Sequence, residues 1–188
     1  ICKEKKVEQL IHLSALGIDH SSETSKYSSS KLEGEKFIKE NFKEAVIVRP
    51  SVVYGVDDNF TNLFMRFLSR FPFFPLYYNG KTKFSPIHIS DLTDIIYNII
   101  DQNIKSEIIE CVGNETMNFK EILKKLSICI EKENFFIPMP LSLSKLVALS
   151  FEKFMPNPLI TLDQLEILRY DNIPSGNYKT NFDFNFIS

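Results

Sequence analysis

The sequence has no long run of basic residues. Its 188 residues include 22 lysines and arginines against 24 aspartates and glutamates, giving a formal net charge of -2 at pH 7. Proteins that bind nucleic acids neutralise the phosphates with clustered lysine and arginine, and this sequence has no such cluster. We therefore expect no nucleic-acid partner.

Cysteine is also scarce. The three cysteines, Cys2, Cys111 and Cys129, are far apart and odd in number. They provide neither a disulfide framework nor the spacing of a zinc site, and the three histidines form no cluster with them. We therefore expect a reducing compartment and no metal centre.

Long apolar runs are missing as well. No stretch is long enough to span a bilayer, and the charged start "ICKEKKVEQL" is not followed by the apolar core of a signal peptide. We therefore expect a cytoplasmic location. The sequence also lacks an initiator methionine, and its opening resembles the middle of a domain, so we expect an N-terminally truncated chain.

The hydrophobic content of 44% is enough for a packed core. Apolar runs predict strands at residues 10–14, 45–49, 84–89, 108–112 and 135–138. Helical spacing predicts helices at residues 27–41, 59–70, 91–101, 119–130, 142–155 and 161–170. Residues 17–26 are read as a polar loop and Pro50 as the end of a strand. The predicted N-caps are Ser25 or Ser28, Ser90 and Asn118, the last in a capping box with Glu121.

Short unbroken apolar strands that alternate with helices are typical of a parallel α/β sheet. The predicted fold class is therefore α/β. It consists of the C-terminal part of a Rossmann-like doubly wound sheet and a smaller mixed α/β lobe. Residues 1–60, with a return segment at about 84–102, are assigned to the sheet domain, and residues 61–188 to the smaller lobe.

Tyr27 and Lys31 lie four residues apart in a predicted helix, so both side chains project from one face. An ammonium beside a phenol favours the phenolate, which would lower the Tyr27 pKa and make it an acid or base. Chance alone gives about 0.7 such pairs in a chain of this composition, so two unrelated surface residues remain an alternative. Tyr77 and Lys81 have the same spacing, but a turn between them breaks any helix.

The surroundings of the first pair favour function. The helix follows a strand that ends in "HLSA", and the next strand leads into "RPSVVYG". Open α/β sheets bind ligands at the carboxyl ends of their strands. A loop with Pro50, Ser51 and Gly55 at that edge can bring backbone close to a cofactor.

The motif "YSSSK" followed by "AVIVRPSVVYG" resembles the extended and atypical short-chain dehydrogenases/reductases (SDRs). The resemblance implies that Tyr27 is the catalytic acid or base. It implies that Lys31 binds the nicotinamide ribose and lowers the Tyr27 pKa. The loop after the next strand would contact the nicotinamide amide, a role that falls on Pro50, Ser51, Val52 and Val53. The implied cofactor is NADP or NAD.

Further segments narrow the resemblance. "GKTKFSPIHISDLTDII" and the stretch from "FIPMPLSLSKLVALS" to "PLITLDQLEILRYDN" are similar to a subgroup that includes the NADPH-binding accessory subunit of respiratory complex I. Complex I subunits are then the implied partners, and the location would be peripheral on the inner face of the respiratory membrane. The stretch "FPFFPLYY" and helix 142–155 are read mainly as core, with contact to a quinone, a membrane surface or another subunit as the alternative.

Two features depart from the SDR pattern. The six glycines cannot form the Gly-rich turn that holds a pyrophosphate, so the phosphate site is absent from this sequence. The Ser or Thr that polarises the substrate is expected at the end of the strand before the Tyr helix. Ser14 is close to that position, but the exact register falls near Leu16, which has no donor. Ser14 therefore remains a candidate catalytic residue, and the missing donor at Leu16 favours a held cofactor over turnover.

Two classes of function follow. The first is a cofactor-holding subunit of a respiratory NADH:quinone oxidoreductase. The second is an active NAD(P)-dependent oxidoreductase or sugar-nucleotide epimerase/dehydratase that uses the Tyr–Lys pair. Among the remaining polar residues, Arg49 is read as a surface or capping residue, with a phosphate or carboxylate contact as the alternative. His12 and His88 are read as hydrogen-bonded structural residues.

Overall fold

The computed structural model describes residues 2, 4–154, 158 and 160–181. The strands are β1 Ile11–Leu13, β2 Val46–Pro50, β3 Val53–Tyr54, β4 Phe73–Leu76, β5 Lys83–Phe84, β6 Ile87–His88, β7 Ile108–Cys111, β8 Met117–Asn118, β9 Phe135–Pro138 and β10 Lys179–Thr180. The helices are α1 Ile18–Ser21, α2 Lys26–Asn41, α3 Thr61–Arg70, α4 Ile89–Asp101, α5 Phe119–Cys129, α6 Leu141–Phe154 and α7 Leu162–Ile167, with a 3₁₀ turn at Tyr77–Gly80.

A parallel sheet with the order β1-β2-β7-β10 forms the first half of the molecule. Val46 and Val48 of β2 pack with α4 residues such as Leu92 and Ile95 on one face of this sheet. Side chains alternate along a strand, so Arg49 projects to the other face, where it contacts Glu35 of α2. Helices therefore cover both faces, which confirms the predicted α/β class.

The sheet extends beyond its predicted domain. Strands β7 and β10 belong to it, although both fall within residues 61–188, which were assigned to the smaller lobe. The chain therefore returns to the sheet twice after the segment at 84–102. The two-domain division itself stays a prediction.

An aromatic core holds the smaller lobe together. Phe64 makes ring contacts with Phe60, Phe74 and Phe119, with centroids 5.0, 5.7 and 5.3 Å apart. These edge-to-face pairs join α3, β4 and α5 around buried Leu76 and Leu123. The stretch "FPFFPLYY" is thus partly core, as predicted, because Phe74, Leu76 and Tyr77 are buried.

Most helix boundaries lie within two residues of the prediction. Ser25 caps α2 by accepting a hydrogen bond from the Ser28 amide, and Asn118 with Glu121 forms the predicted capping box of α5. Helix α6 ends at Phe154 in the described part of the chain; the predicted end, Met155, lies outside it.

Three local predictions are wrong. The polar loop at 17–26 contains helix α1, because Ile18 is buried and anchors it. The predicted strand 45–49 is off by one residue, because β2 runs Val46–Pro50; Pro50 does end the strand, but as its last member, paired with Cys111, where its missing N–H is tolerated. Helix α4 is capped by His88 rather than Ser90, because the His88 ring accepts the Ser90 amide hydrogen.

Candidate functional site

The candidate site lies where β1 and β2 end. The Ser14 amide donates to the Val48 carbonyl (2.8 Å) and the Leu16 amide to the Pro50 carbonyl (2.9 Å), so the two chains stay paired beyond β1. A cavity of about 190 Å³ opens beside them. Its described lining residues are Ala15, Leu16, Gly17, Ile18, Ser21, Tyr27, Ser28, Pro50, Ser51, Val52, Phe84, Ile167, Tyr170, Asp171 and Asn172. We call it the Tyr27 cavity.

Tyr27 and Lys31 project together, as their spacing predicts. The Lys31 Nζ lies 5.9 Å from the centroid of the Tyr27 ring and donates to the Leu13 carbonyl at 3.2 Å. This bond holds the ammonium at the carboxyl end of β1. Tyr27 is 48% exposed, so its phenol is accessible to a ligand. The pair therefore stands at the sheet edge where α/β proteins bind ligands.

The predicted effect on the Tyr27 pKa is wrong in direction. Burial raises the pKa of the phenol above its ordinary value near 10. The Lys31 ammonium is already hydrogen-bonded to a backbone carbonyl and does not reverse this effect. At neutral pH the phenol is therefore protonated and acts as a hydrogen-bond donor.

Only part of the predicted cofactor-binding loop after β2 lines the Tyr27 cavity. Pro50, Ser51 and Val52 line the Tyr27 cavity, as expected for residues facing a ligand. Val53 does not; it pairs with Ile87 in the β3–β6 ladder and packs against the core beneath α4.

Ser14 and Leu16 share the end of the strand before α2. Ser14 is buried, and its hydroxyl has no hydrogen-bond partner among the described residues, but it is not part of the described cavity lining. Leu16 lines the cavity. Leu16 therefore presents an apolar side chain where the resemblance expects a donor.

Asp163 of α7 was not recognised from the sequence. Its carboxylate accepts hydrogen bonds from the Ser25 hydroxyl (3.0 Å) and from the amides of Lys26 (2.7 Å) and Tyr27 (3.2 Å). A carboxylate at a helix N-terminus is stabilised by the free amides and by the helix dipole. The C-terminal segment thus fixes the first turn of the helix that presents Tyr27.

We expect the Asp163→Ala variant to lose about 1–2 kcal/mol of unfolding free energy, because three donors at the start of α2 lose their acceptor. For a domain of this size that lowers the melting temperature by about 2–8 °C. Circular dichroism measures the shift. Asp57→Ala, at an exposed aspartate, is the matched control and should change stability by less than about 0.5 kcal/mol. Equal melting temperatures for the two variants would contradict the contact.

Asn172 joins the C-terminal segment to the same cavity. Its side-chain amide donates to the Leu16 carbonyl (2.9 Å) and its Oδ1 accepts from the Ser51 hydroxyl (2.5 Å). The Ser21 hydroxyl donates to the Ser28 hydroxyl at 2.7 Å. The serines of the wall are therefore bonded to one another or to Asn172.

Arg49 is neither a surface residue nor a cap. It is 2% exposed and forms ion pairs with Glu35 (2.7 Å) and Asp19 (2.6 Å). Burial alone would lower the pKa of Arg49, but the hydrogen bonds to Glu35 and Asp19 outweigh it and raise the pKa. Its partner carboxylates belong to this chain, so the guanidinium is not available to a phosphate.

His88 and His12 differ in their hydrogen bonding. His88 is hydrogen-bonded to Ser90 at 2.6 Å, as expected for a structural residue. His12 is not, because its buried Nε2 has no partner among the described residues. Burial, followed by the nearby Lys31 charge, lowers the pKa of His12. Within the described residues, no group of three His, Cys, Asp or Glu side chains is placed to hold a metal ion.

Comparison with known proteins gives a match to the family described as "RmlD substrate binding domain" over residues 18–125. NADH dehydrogenase [ubiquinone] 1 alpha subcomplex subunit 9, mitochondrial, of Dictyostelium discoideum is 30% identical over 170 residues, covering 89% of this chain and 47% of that protein. UDP-glucose 4-epimerase of Vibrio cholerae is 30% identical over 142 residues, covering 72% of this chain and 43% of that protein. The chain thus spans about half the length of these curated relatives.

Solved structures share the fold. UDP-glucuronic acid 4-epimerase from Bacillus cereus, in complex with UDP-glucuronic acid and NAD, superposes with a TM-score of 0.58 at 23% identity. The match covers 73% of this chain and 50% of that one.

Proposed function

We propose that this chain, which belongs to the RmlD substrate-binding-domain family of the SDR superfamily, is part of an NAD(P)H-binding accessory subunit of respiratory complex I. In this proposal the cofactor is held for structure and assembly. Relatives whose printed names identify them as subunits of NADH dehydrogenase [ubiquinone] and of NADH-ubiquinone oxidoreductase match 89% and 93% of the chain. The wall of the Tyr27 cavity supports a cofactor-holding role over catalytic turnover, because Leu16 stands where a hydrogen-bond donor to the substrate is expected.

The residues present fit the nicotinamide end of the cofactor. The Tyr27 phenol and the Lys31 ammonium would donate hydrogen bonds to the ribose, and Pro50, Ser51 and Val52 would face the nicotinamide. A cavity of about 190 Å³ is smaller than sites for whole drug-sized ligands, so it takes only this end. The sequence has no Gly-rich turn for the pyrophosphate. Val53 and Ser14 remain predicted site residues that the cavity does not include.

A bound nicotinamide supplies a hydride donor or acceptor. What this chain adds at that point is a protonated phenol, because burial raises the pKa of Tyr27. A protonated phenol is a good hydrogen-bond donor and a poor base at neutral pH. This property suits a hydrogen bond to a held cofactor and disfavours Tyr27 as a base, and it does not distinguish NADP from NAD.

Exposed apolar side chains on α6 and on β9 are our candidates for the contact with other complex I subunits. Helix α6 exposes Leu143, Leu146 and Leu149, and β9 exposes Phe135 and Ile137. Exposed patches of this kind mark interaction sites.

Lys145 of α6 pairs with Glu166 at 3.0 Å, so it is engaged within the chain and adds little to a contact with anionic lipid. In the described part of the chain, no helix is long and apolar enough to cross a bilayer. The proposed location is peripheral on the respiratory membrane. A contact of these apolar side chains with a quinone is the alternative to a contact with another subunit.

We expect Tyr27→Phe in the complete protein to change NADPH affinity by less than about threefold, because the lost hydrogen bond is at a half-exposed phenol, where competition with water keeps its net contribution at about 0.5 kcal/mol. Lys31→Met should weaken binding about 10-fold or more, since it removes a charge-assisted donor. Titration followed by NADPH fluorescence measures both. Complex I subunits should co-purify with the wild type and with Tyr27→Phe alike.

The alternative is an active oxidoreductase or epimerase, which the exposed phenol and the epimerase relative favour. In that case turnover of a quinone or sugar nucleotide should fall about 10²- to 10⁴-fold in Tyr27→Phe, the usual contribution of a general acid or base. A measurable turnover that collapses in this way would overturn the holding role.

A further inference from the structure

One segment near the C-terminal end of the chain, residues 161–172, belongs to both halves of the molecule. Its helix α7 is anchored in the smaller lobe, because Leu165 is fully buried in the aromatic core and the Leu168 carbonyl accepts a hydrogen bond from the Thr82 hydroxyl. The residues after α7 leave this core and reach the edge of the sheet, where Asn172 lines the Tyr27 cavity. We call residues 161–172 the strap.

The strap holds three walls of the Tyr27 cavity. Near its start, the Asp163 carboxylate accepts hydrogen bonds from the first turn of α2, including the Tyr27 amide at 3.2 Å. At its end, the Asn172 side chain donates to the Leu16 carbonyl (2.9 Å) and accepts from the Ser51 hydroxyl (2.5 Å). Leu16 follows β1 and Ser51 follows β2. Two side chains of the strap therefore fix the helix that presents Tyr27 and the two loops beside it.

Backbone hydrogen bonds fix the end of the strap against β5. The Asn172 amide donates to the Lys83 carbonyl (2.7 Å), and the Asn172 carbonyl accepts from the Ser85 amide (3.1 Å). The Asp171 carboxylate accepts from the Lys83 amide at 2.8 Å. The strap thus connects the smaller lobe directly to the edge of the sheet where the cavity lies.

The strap also contacts α6, the helix whose exposed leucines are proposed above for subunit contact. Glu166 of the strap pairs with Lys145 of α6 at 3.0 Å, and the Leu162 amide donates to Glu152 of α6 at 2.8 Å. The ion pair is partly exposed and contributes little by itself. Buried side chains of both helices also belong to the same aromatic core, so a shift of α7 has to be accommodated by α6.

We propose that the strap couples occupancy of the Tyr27 cavity to the surface of α6. The coupling rests on the proposed cofactor site and adds regulation to it. A ligand that contacts the walls held by Asp163 and Asn172 binds best when both side chains are hydrogen-bonded, so it favours the docked strap. By linkage, a partner that binds α6 beside a docked strap binds the cofactor-loaded protein more tightly, and the cofactor binds the assembled protein more tightly by the same factor.

Hydrogen–deuterium exchange of the complete protein without cofactor tests whether the strap acts as one unit. Asp163→Ala should speed exchange about 5- to 10-fold around Leu16 and Ser51, neither of which its carboxylate contacts by a hydrogen bond among the described residues. Asn172→Ala should have the same effect on the first turn of α2. Asn177→Ala, at an exposed asparagine beyond the strap, is the matched control and should change neither region.

The strap is not one unit if each substitution speeds exchange only at its own hydrogen-bond partners. The same conclusion follows if exchange rises equally in β2, the strand between β1 and β7, because such a rise would report general destabilisation. Either result overturns the proposal.

Exchange with NADPH at a concentration that fills the site tests the coupling itself. In the wild type we expect NADPH to slow exchange about threefold or more in α2, in the strap and in α6. In the double variant Asp163→Ala/Asn172→Ala, the slowing should persist in α2 and be lost in α6. Slowing of α6 that survives in the double variant would overturn the coupling.

Failure of the coupling and failure of the cofactor site give different results. If NADPH binds the wild type and slows exchange in α2 but not in α6, the coupling alone is overturned. If NADPH fluorescence does not change on addition of the wild type, the cofactor site is overturned and the coupling with it.

Discussion

Replacement of Arg49 by methionine is expected to lower the unfolding free energy by about 3–5 kcal/mol, the usual effect of breaking a buried ion pair. The guanidinium makes two hydrogen bonds to Glu35, at 2.8 and 2.7 Å, and two to Asp19, at 2.6 and 3.2 Å. Its face also lies 4.8 Å from the centroid of the Tyr178 ring. Methionine keeps much of the apolar stem and removes all of these polar contacts.

The damage arises mainly at Glu35. The Asp19 side chain is 41% exposed and can be rehydrated, whereas the Glu35 side chain is 4% exposed and would stay buried without a partner. Urea unfolding followed by circular dichroism measures the loss. Adding Glu35→Leu to Arg49→Met should recover at least half of it, because the unpaired charge is gone.

Arg70→Met provides the matched control. Arg70 is exposed at the end of α3, so its replacement should change stability by less than about 0.5 kcal/mol. A loss of the same size in Arg49→Met and Arg70→Met would show that the buried ion pairs do not stabilise the fold.

The Arg49 pairs also show what the sequence left open. The apolar run "AVIV" predicts a buried strand. It does not predict what surrounds the side chain of Arg49, the next residue. Whether Arg49 meets solvent or a carboxylate depends on α2, because Glu35 comes from a helix whose docking is set by tertiary packing. Local periodicity predicts which residues are buried far better than it predicts their polar partners.

The candidate site likewise contains residues that the sequence predicted and residues that it did not. The four-residue spacing of Tyr27 and Lys31 and their place after a strand predicted a shared helix face at the sheet edge, and the structure places them there. Asp163 could not be found by such reasoning, because it lies 136 residues from Tyr27 in sequence. Thr161 and Gln164 form a capping box at the start of α7, but no local pattern shows that the Asp163 carboxylate binds the first turn of α2.

The direction of the Tyr27 pKa was missed for a related reason. Sequence spacing gives the distance to Lys31, but it gives neither the burial of the phenol nor the backbone carbonyl that the ammonium binds. Likewise, the stretch "FPFFPLYY" was predicted to be mainly core, and only the packed structure shows that the buried hydroxyl of Tyr77 has no hydrogen-bond partner among the described residues.

Replacement of Gly113 by alanine is expected to destabilise the fold by about 3 kcal/mol or more, at the upper end of overpacking effects. Gly113 follows β7, and its amide donates to the Ser85 carbonyl at 3.2 Å. A Cβ atom at this position would lie 1.9 Å from the Pro86 carbonyl oxygen and 3.0 Å from its carbonyl carbon. Both are backbone atoms, so relief requires that β7 move away from the segment that leads into β6.

Gly34→Ala is the matched control, because it introduces the same methyl group in the middle of α2. There the nearest atom to the new Cβ is His12 Nε2 at 3.7 Å, an ordinary contact. Alanine favours a helix over glycine by about 0.5–1 kcal/mol, so this variant should be more stable than the wild type. Thermal unfolding should therefore move in opposite directions, with Gly113→Ala melting about 6–12 °C lower. Equal melting temperatures for Gly113→Ala and the wild type would show that β7 and the Pro86 segment are not in close contact in solution.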